Sequence, residues 1–331
     1  MSDENSPPPR QSGTLFAIGG AEDKLKKRTV LRAFVEAAGG ERADIVVVPT
    51  ASALGPEVVN VYDALFRTLG ARSVTAVRPE TRADADDPSY VEALAEATGV
   101  FMTGGNQLKL SGVVTGTAFG KAIVAAHERG ATVAGTSAGA SILAEHMIAF
   151  GQSGTTPRQR MSQLAGGLGL VKGAIIDQHF GQRNRYGRLL SLVAQSPALL
   201  GIGVDEDTAA VIRGDLLEVI GRGAVTIFDG REVRSNAHVA RRTSAILASG
   251  VQLHVLPATS AFDLRTRTLV GFGSEPHADD VAGMAAAEQD LRSLAARIAA
   301  EGVSTSYYEE RKRRASKRKP RKSPGNADGT P

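Results

Sequence analysis

The 331-residue chain has no cysteine and no tryptophan, and aromatic residues make up only 5% of it. Without cysteine there is no disulfide framework, no thiolate metal site and no cysteine nucleophile. The scarcity of aromatics argues against nucleic-acid or sugar binding by stacking. No apolar run approaches the ~20 residues of a membrane-spanning helix. The first 13 residues are polar and Pro-rich, with neither the basic start nor the apolar stretch of a signal peptide. The sequence therefore predicts a disordered segment over 1–13 and a cytoplasmic protein with no membrane partner.

What is present is core-forming material. Hydrophobic residues account for 42% of the chain, which excludes a disordered or fibrous protein. The net charge of +4 is unevenly placed: residues 311–322 carry nine Lys or Arg and no acid, so the chain without them stands at −5. The stretch 303–331 reads as a flexible basic tail, and a nucleic-acid partner would rest on that tail alone.

Five apolar runs, at 14–18, 44–48, 73–77, 100–102 and 131–135, alternate with helical stripes. Val30, Leu31, Phe34 and Val35 form one stripe, and Val58, Val61, Tyr62, Leu65 and Phe66 another. Further helices are expected near 90–97, over 107–129 and over 140–147. Strands alternating with helices predict an α/β fold with a doubly wound, mostly parallel sheet. From 199 onward, short runs with tight connections predict β-hairpins added to that sheet. Apolar residues at helical spacing (Val281, Met284, Leu291, Leu294, Ile298) predict a helix over 279–302, which completes a single domain spanning 14–302.

In such sheets ligands bind beyond the carboxyl ends of the strands. Gly19-Gly20, Thr50 to Ser52, Thr103 to Asn106 and Thr136-Ser137 all fall there. The last belongs to Gly135-Thr136-Ser137-Ala138-Gly139, a G-x-S-x-G pattern between an apolar strand and a helix. A serine on a sharp strand-to-helix turn is lifted into the open, and the helix start offers free N–H groups to an oxyanion. A tight turn or an anion-binding helix start would use the same residues.

A nucleophilic serine needs a base. Of the six histidines, His127 and His146 fall on stretches read as helical, His238 and His277 in loops and His254 within a strand. His179 follows the short strand Ala174-Ile175-Ile176, within Asp177-Gln178-His179-Phe180, where a strand end would aim it into the site. Arg183, Arg185 and Arg188 come next and suit carboxylate recognition, although a charged helix start would look the same. A turn at Asp205-Glu206-Asp207 supplies three carboxylates, one of which could orient His179.

These residues resemble those of the cyanophycinases, serine peptidases related to dipeptidase E. The matching pieces are Ile18-Gly19-Gly20-Ala21-Glu22-Asp23, Thr103-Gly104-Gly105-Asn106-Gln107, residues 135–141, Gly167-Leu168-Gly169-Leu170, Asp177-Gln178-His179-Phe180, the three arginines, and residues 201–209. Weaker similarity continues through Leu253-His254-Val255-Leu256 and Phe262-Asp263-Leu264. The resemblance implies a three-layer α/β/α fold like that of class I glutamine amidotransferases. It implies a serine-type exopeptidase that cuts cyanophycin, a poly-aspartate carrying arginine on each β-carboxyl, to β-Asp-Arg dipeptides. By the family pattern Ser137 is the nucleophile, His179 the base and Glu206 the acid, with N–H groups of Gly105 and Ala138 forming the oxyanion hole. Gln107, Asp177, Gln178, Arg183, Arg185 and Arg188 match positions lining the substrate pocket, the arginines suiting aspartyl carboxylates and Asp177 a guanidinium. The family also implies a homodimer and neither metal nor organic cofactor. Asn106 stands where aspartate is as readily expected, and 279–331 lies outside the resemblance. An α-aspartyl or isoaspartyl dipeptidase of the same fold, or a non-catalytic ligand-binding relative, would share the elbow.

Overall fold

The computed structural model describes residues 12–273. The expected helix over 279–302, the tail 303–331 and most of the N-terminal segment 1–13 lie outside the described residues. Five strands form a parallel core in the order β1 (Leu15–Ile18), β5 (Thr132–Thr136), β4 (Gly99–Met102), β2 (Asp44–Val48) and β3 (Ser73–Ala76). Side chains alternate across these strands, so each one feeds two cores. On one face, Phe16, Ile18, Ile45, Val47 and Phe101 pack against α1 (Thr29–Ala37) and α2 (Pro56–Thr68). On the other, Val46, Val48, Val100, Met102 and Val133 meet α4 (Gln107–Val114) and α5 (Ala118–Glu128). That is a helix–sheet–helix arrangement with a largely parallel sheet at its centre.

Beyond β1 the sheet changes sense. β10 (Thr208–Arg213) pairs antiparallel with β1, and β11 (Leu216–Gly221) continues outward to the strands Ser260–Asp263 and Thr268–Phe272. The hairpins expected after residue 199 do not all join this sheet. β8 (Ala174–Gln178), β9 (Leu200–Val204), β12 (Ala224–Asp229) and the strand Gln252–Pro257 form a second, four-stranded sheet. The split falls at Asp205-Glu206-Asp207, where the chain leaves β9 in one sheet and enters β10 in the other. Leu189 and Val193 of α7 (Tyr186–Gln195) cover the second sheet through Ile175 and Phe228.

Two expected helices are shorter than their apolar runs suggest. α3 covers only Pro88–Glu92, started by Asp87 accepting from the Ser89 N–H, and the chain then tightens into turns that bond three residues back at Leu94 and Ala95. The helix expected over 140–147 is the single turn α6 (Ala138–Ser141), and His146 opens the strand β6 (His146–Gly151) paired with β7 (Ser162–Gly166). Ile142, Leu143, Ala144, Met147 and Ile148 are all buried, so the apolar run carries no period that separates helix from strand. Among the described residues no single helix is long and apolar enough to cross a membrane.

Candidate active site

Ser137 sits where β5 turns into α6, with φ 54° and ψ −111°, a conformation that side chains other than glycine rarely adopt. The turn is held by the Ser137 N–H donating to Ile18 O at 3.0 Å and by the Ala140 N–H donating back to Ser137 O at 3.0 Å. Gly135 is required by close approach: a β-carbon there would lie 1.9 Å from Gly139 O. The G-x-S-x-G pattern thus encodes a reversal tight enough to bring strand and helix backbones into contact.

His179 follows β8 in the second sheet, also at positive φ, and its N–H donates to Gly19 O at 2.8 Å. Its Nε2 lies 3.0 Å from Ser137 Oγ and its Nδ1 2.6 Å from Glu206 Oε1. A carboxylate only accepts, so Nδ1 carries the proton and Nε2 presents its lone pair to the serine hydroxyl. Gly20, at φ +98°, makes room for the ring: a β-carbon there would sit 2.3 Å from His179 Cε1. Burial pushes the imidazole pKa below its ordinary value, with Arg183 and Arg185 adding to the shift and Glu206 opposing it. The ring is therefore neutral, and able to accept a proton, at neutral pH.

The acidic turn divides its labour. Asp205 accepts from the N–H groups of Gly181 at 2.9 Å and Ala224 at 3.2 Å, and Asp207 accepts from the Asp23 N–H at 2.8 Å. Both brace loops, and Glu206 alone of the three meets His179. Its backbone is held in turn by Gln182, whose Oε1 accepts the Glu206 N–H at 2.9 Å. Gln182 was not singled out from the sequence, because an exposed glutamine after a histidine carries no pattern. The array spans the seam between the sheets: Ser137 belongs to the first, His179 to the second, and Glu206 to the turn connecting them.

Gln107, Gln178, Asp177, Arg185 and Arg188 form a hydrogen-bonded chain, all but the half-buried Gln107 being buried. The Gln107 Nε2 donates to Ile148 O at 2.6 Å, and the Gln178 Nε2 donates to Gln107 Oε1 at 2.9 Å. Arg185 donates to Gln178 Oε1 at 2.7 Å and to Asp177 at 3.3 Å, while the Arg188 Nε donates to Asp177 Oδ2 at 2.6 Å. Asp177 is fully buried and Arg188 is 3% exposed. Here the structure departs from the sequence expectation. Asp177 faces no open space for a substrate guanidinium, and Arg185 and Arg188 are engaged by protein acceptors. Guanidinium and carboxylate close on each other because a fork of two donors matches two oxygens. Burial lowers the Arg185 pKa to about 10, against the opposing pull of Asp177. Arg183 remains exposed, close enough to His179 to act on its charge.

The N–H groups expected to form an oxyanion hole, those of Gly105 and Ala138, have no hydrogen-bond acceptor among the described residues. Gly104, beside Gly105, also borders the serine: a β-carbon on it would come within 3.6 Å of Ser137 Oγ. A cavity of about 330 Å³ opens onto Ser137, walled by Gly104, Thr136, the loop after β1 and the start of α2. Glu22 lies in its wall and accepts from Tyr62 Oη at 2.6 Å, Thr136 Oγ1 at 2.6 Å and Lys24 Nζ at 2.8 Å. Burial alone would raise the Glu22 pKa, but the Lys24 charge and these three bonds more than offset it and hold the carboxyl below its usual range. Glu22 appeared in the sequence only as part of a loop motif, since its partners Tyr62 and Thr136 lie 40 and 114 residues away.

Residues 15–220 match peptidase family S51. The chain belongs to this family. It is 40% identical over 260 residues to the cyanophycinase of Nostoc sp., an alignment covering 77% of this chain and 87% of that protein. The cyanophycinase of Geminocystis herdmanii is 38% identical over 256 residues, covering 76% of this chain and 94% of that one. Among solved structures, a peptidase from an acI-B1 actinobacterium superposes with a TM-score of 0.56 at 23% identity, covering 77% of this chain and 98% of its own, which supports the fold. As an S51 member the chain is a serine peptidase, and the G-x-S-x-G elbow falls inside the matched region.

Proposed function

We propose that this S51 peptidase hydrolyses cyanophycin to β-Asp-Arg dipeptides through an acyl-enzyme on Ser137. The observation that carries the reading is the continuous chain from Ser137 Oγ through His179 to Glu206, at 3.0 Å and 2.6 Å. Ser137 Oγ attacks the carbonyl carbon of the scissile amide as its proton passes to His179 Nε2, and Glu206 stabilises the imidazolium that forms. The carbonyl oxygen takes the negative charge and is met by free N–H groups at 104–105 and at Ala138. Collapse expels the amine, which takes the proton from Nε2. A water molecule then repeats the sequence on the ester and releases the acid product.

Support for the substrate comes from the cyanophycinase relatives at about 40% identity and from the charges around the serine. Arg183 offers an open cation for an aspartyl carboxylate, and the cavity at Ser137 carries in Glu57 an exposed carboxylate suited to a guanidinium. The test incubates wild type and Ser137→Ala with cyanophycin and with an α-linked Asp-Arg peptide, and identifies the products by mass spectrometry. Release of β-Asp-Arg from the polymer by wild type alone, with the α-linked peptide intact, is the expected result. Cleavage of the α-linked peptide without release from the polymer would move the substrate to small aspartyl peptides.

A further inference from the structure

The cavity at Ser137 contains none of the residues that the arginine-bearing segment 183–188 contributes near His179. Its volume of about 330 Å³ lies within the range of small-molecule sites. The charged residues in its wall are Glu22, Lys24 and Glu57. Glu22 is already committed, with three donors on its two oxygens, and Lys24 is one of those donors. That pair is neutral as a unit. Glu57, in the first turn of α2, is exposed and has no ion-pair or hydrogen-bond partner among the described residues. Beside it Leu54 and Val61 are 63% and 48% exposed, and Val58 completes an apolar flank.

An apolar flank ending at an unpaired carboxylate matches one kind of group: an aliphatic stem with a cationic head. We propose that this cavity is the subsite for a substrate arginyl side chain, with Glu57 as its counter-ion and Leu54, Val58 and Val61 along its stem. The proposal rests on the cyanophycin reading and adds to it the residue that selects the charged head. Glu57 has a second electrostatic task. The N-terminus of α2 presents its positive dipole end to the cavity, which by itself disfavours a cation. Removing the Glu57 charge therefore takes away the attraction and leaves that opposing field.

The test compares oligomers of β-Asp-Arg with oligomers carrying citrulline in place of arginine. Citrulline keeps the length and shape but replaces the guanidinium with a neutral urea. The quantity read is the ratio of kcat/KM for the two substrates. Wild type is expected to prefer arginine by about fivefold, the scale of an exposed ion pair. Glu57→Gln is expected to bring the ratio close to one, and Glu57→Asp to retain part of the preference. A merely structural role for Glu57 would lower both rates together and leave the ratio unchanged, and that result overturns the subsite. Wild type cleaving neither oligomer would instead overturn the cyanophycin reading on which the subsite rests.

Discussion

His179 and Ser137 meet at 3.0 Å although they lie 42 residues apart and hang from different sheets. Each is held at positive φ, 46° for His179 and 54° for Ser137, and each backbone N–H is fastened to the end of β1, at Gly19 O and Ile18 O. The carboxyl end of β1 is therefore the common anchor of the pair.

That anchor makes Gly20 a sensitive position. In Gly20→Ala the new β-carbon would enter the space of the His179 ring, and the φ of +98° would strain any side chain. The strain costs roughly 1–2 kcal/mol. Displacing a general base by about 1 Å can cost roughly 100-fold in rate. Steady-state kinetics are expected to show a fall in kcat of that order with only a modest drop in Tm.

In the acidic turn Glu206 meets His179, while Asp205 and Asp207 brace backbone N–H groups. Glu206→Gln keeps the shape but removes the charge that holds the imidazolium, so kcat is expected to fall roughly 10²- to 10⁴-fold with little loss of stability. Asp207→Asn weakens a brace to the Asp23 N–H and is expected to lower Tm while sparing most of kcat. Parallel kinetics and thermal melts distinguish the two outcomes.

Arg183 acts on His179 through charge. The proposed base works when deprotonated, so activity is expected to fall on the acid side as pH drops through the His179 pKa. That pKa lies below its ordinary value, chiefly through burial and in part through Arg183. Arg183→Gln removes a cation that favours the neutral ring, so the pKa rises and the acid limb of kcat/KM shifts to higher pH. A pH–rate profile of both proteins checks the direction.

Asp177 holds two buried guanidinium groups. Asp177→Asn leaves Arg188, and in part Arg185, without a counter-charge in a site closed to solvent. Breaking a buried pair from one side costs about 3–5 kcal/mol. Chemical denaturation is expected to show a loss of that size, whereas Arg183→Gln, at an exposed position, is expected to be nearly neutral.

Local pattern was enough for much of this protein. Continuous apolar runs mark β2 and β4 because both faces of those strands are covered, and the small residues around Ser137 mark a turn that only small residues can make. The same reasoning placed His179 beyond β8, since a residue just past a strand end falls on the ligand-binding edge of such a sheet. It misjudged 140–147, where every apolar side chain is buried and no period remains to separate helix from strand.

Tertiary structure decided what depends on partners distant in sequence. Residue chemistry alone does not separate three adjacent carboxylates, and along the chain only the family resemblance pointed to Glu206; the packing of β9, β10 and the Gly19 to Asp23 loop sets Glu206 against His179 and its neighbours against backbone N–H groups. Three closely spaced arginines likewise read as one cationic patch, yet Arg185 and Arg188 turn inward to Asp177 and leave Arg183 outside. Periodicity records which way a side chain faces relative to its own element. Which charge it meets there is set by long-range pairing, here the division of the strands into two sheets with Ser137, His179 and Glu206 at their seam.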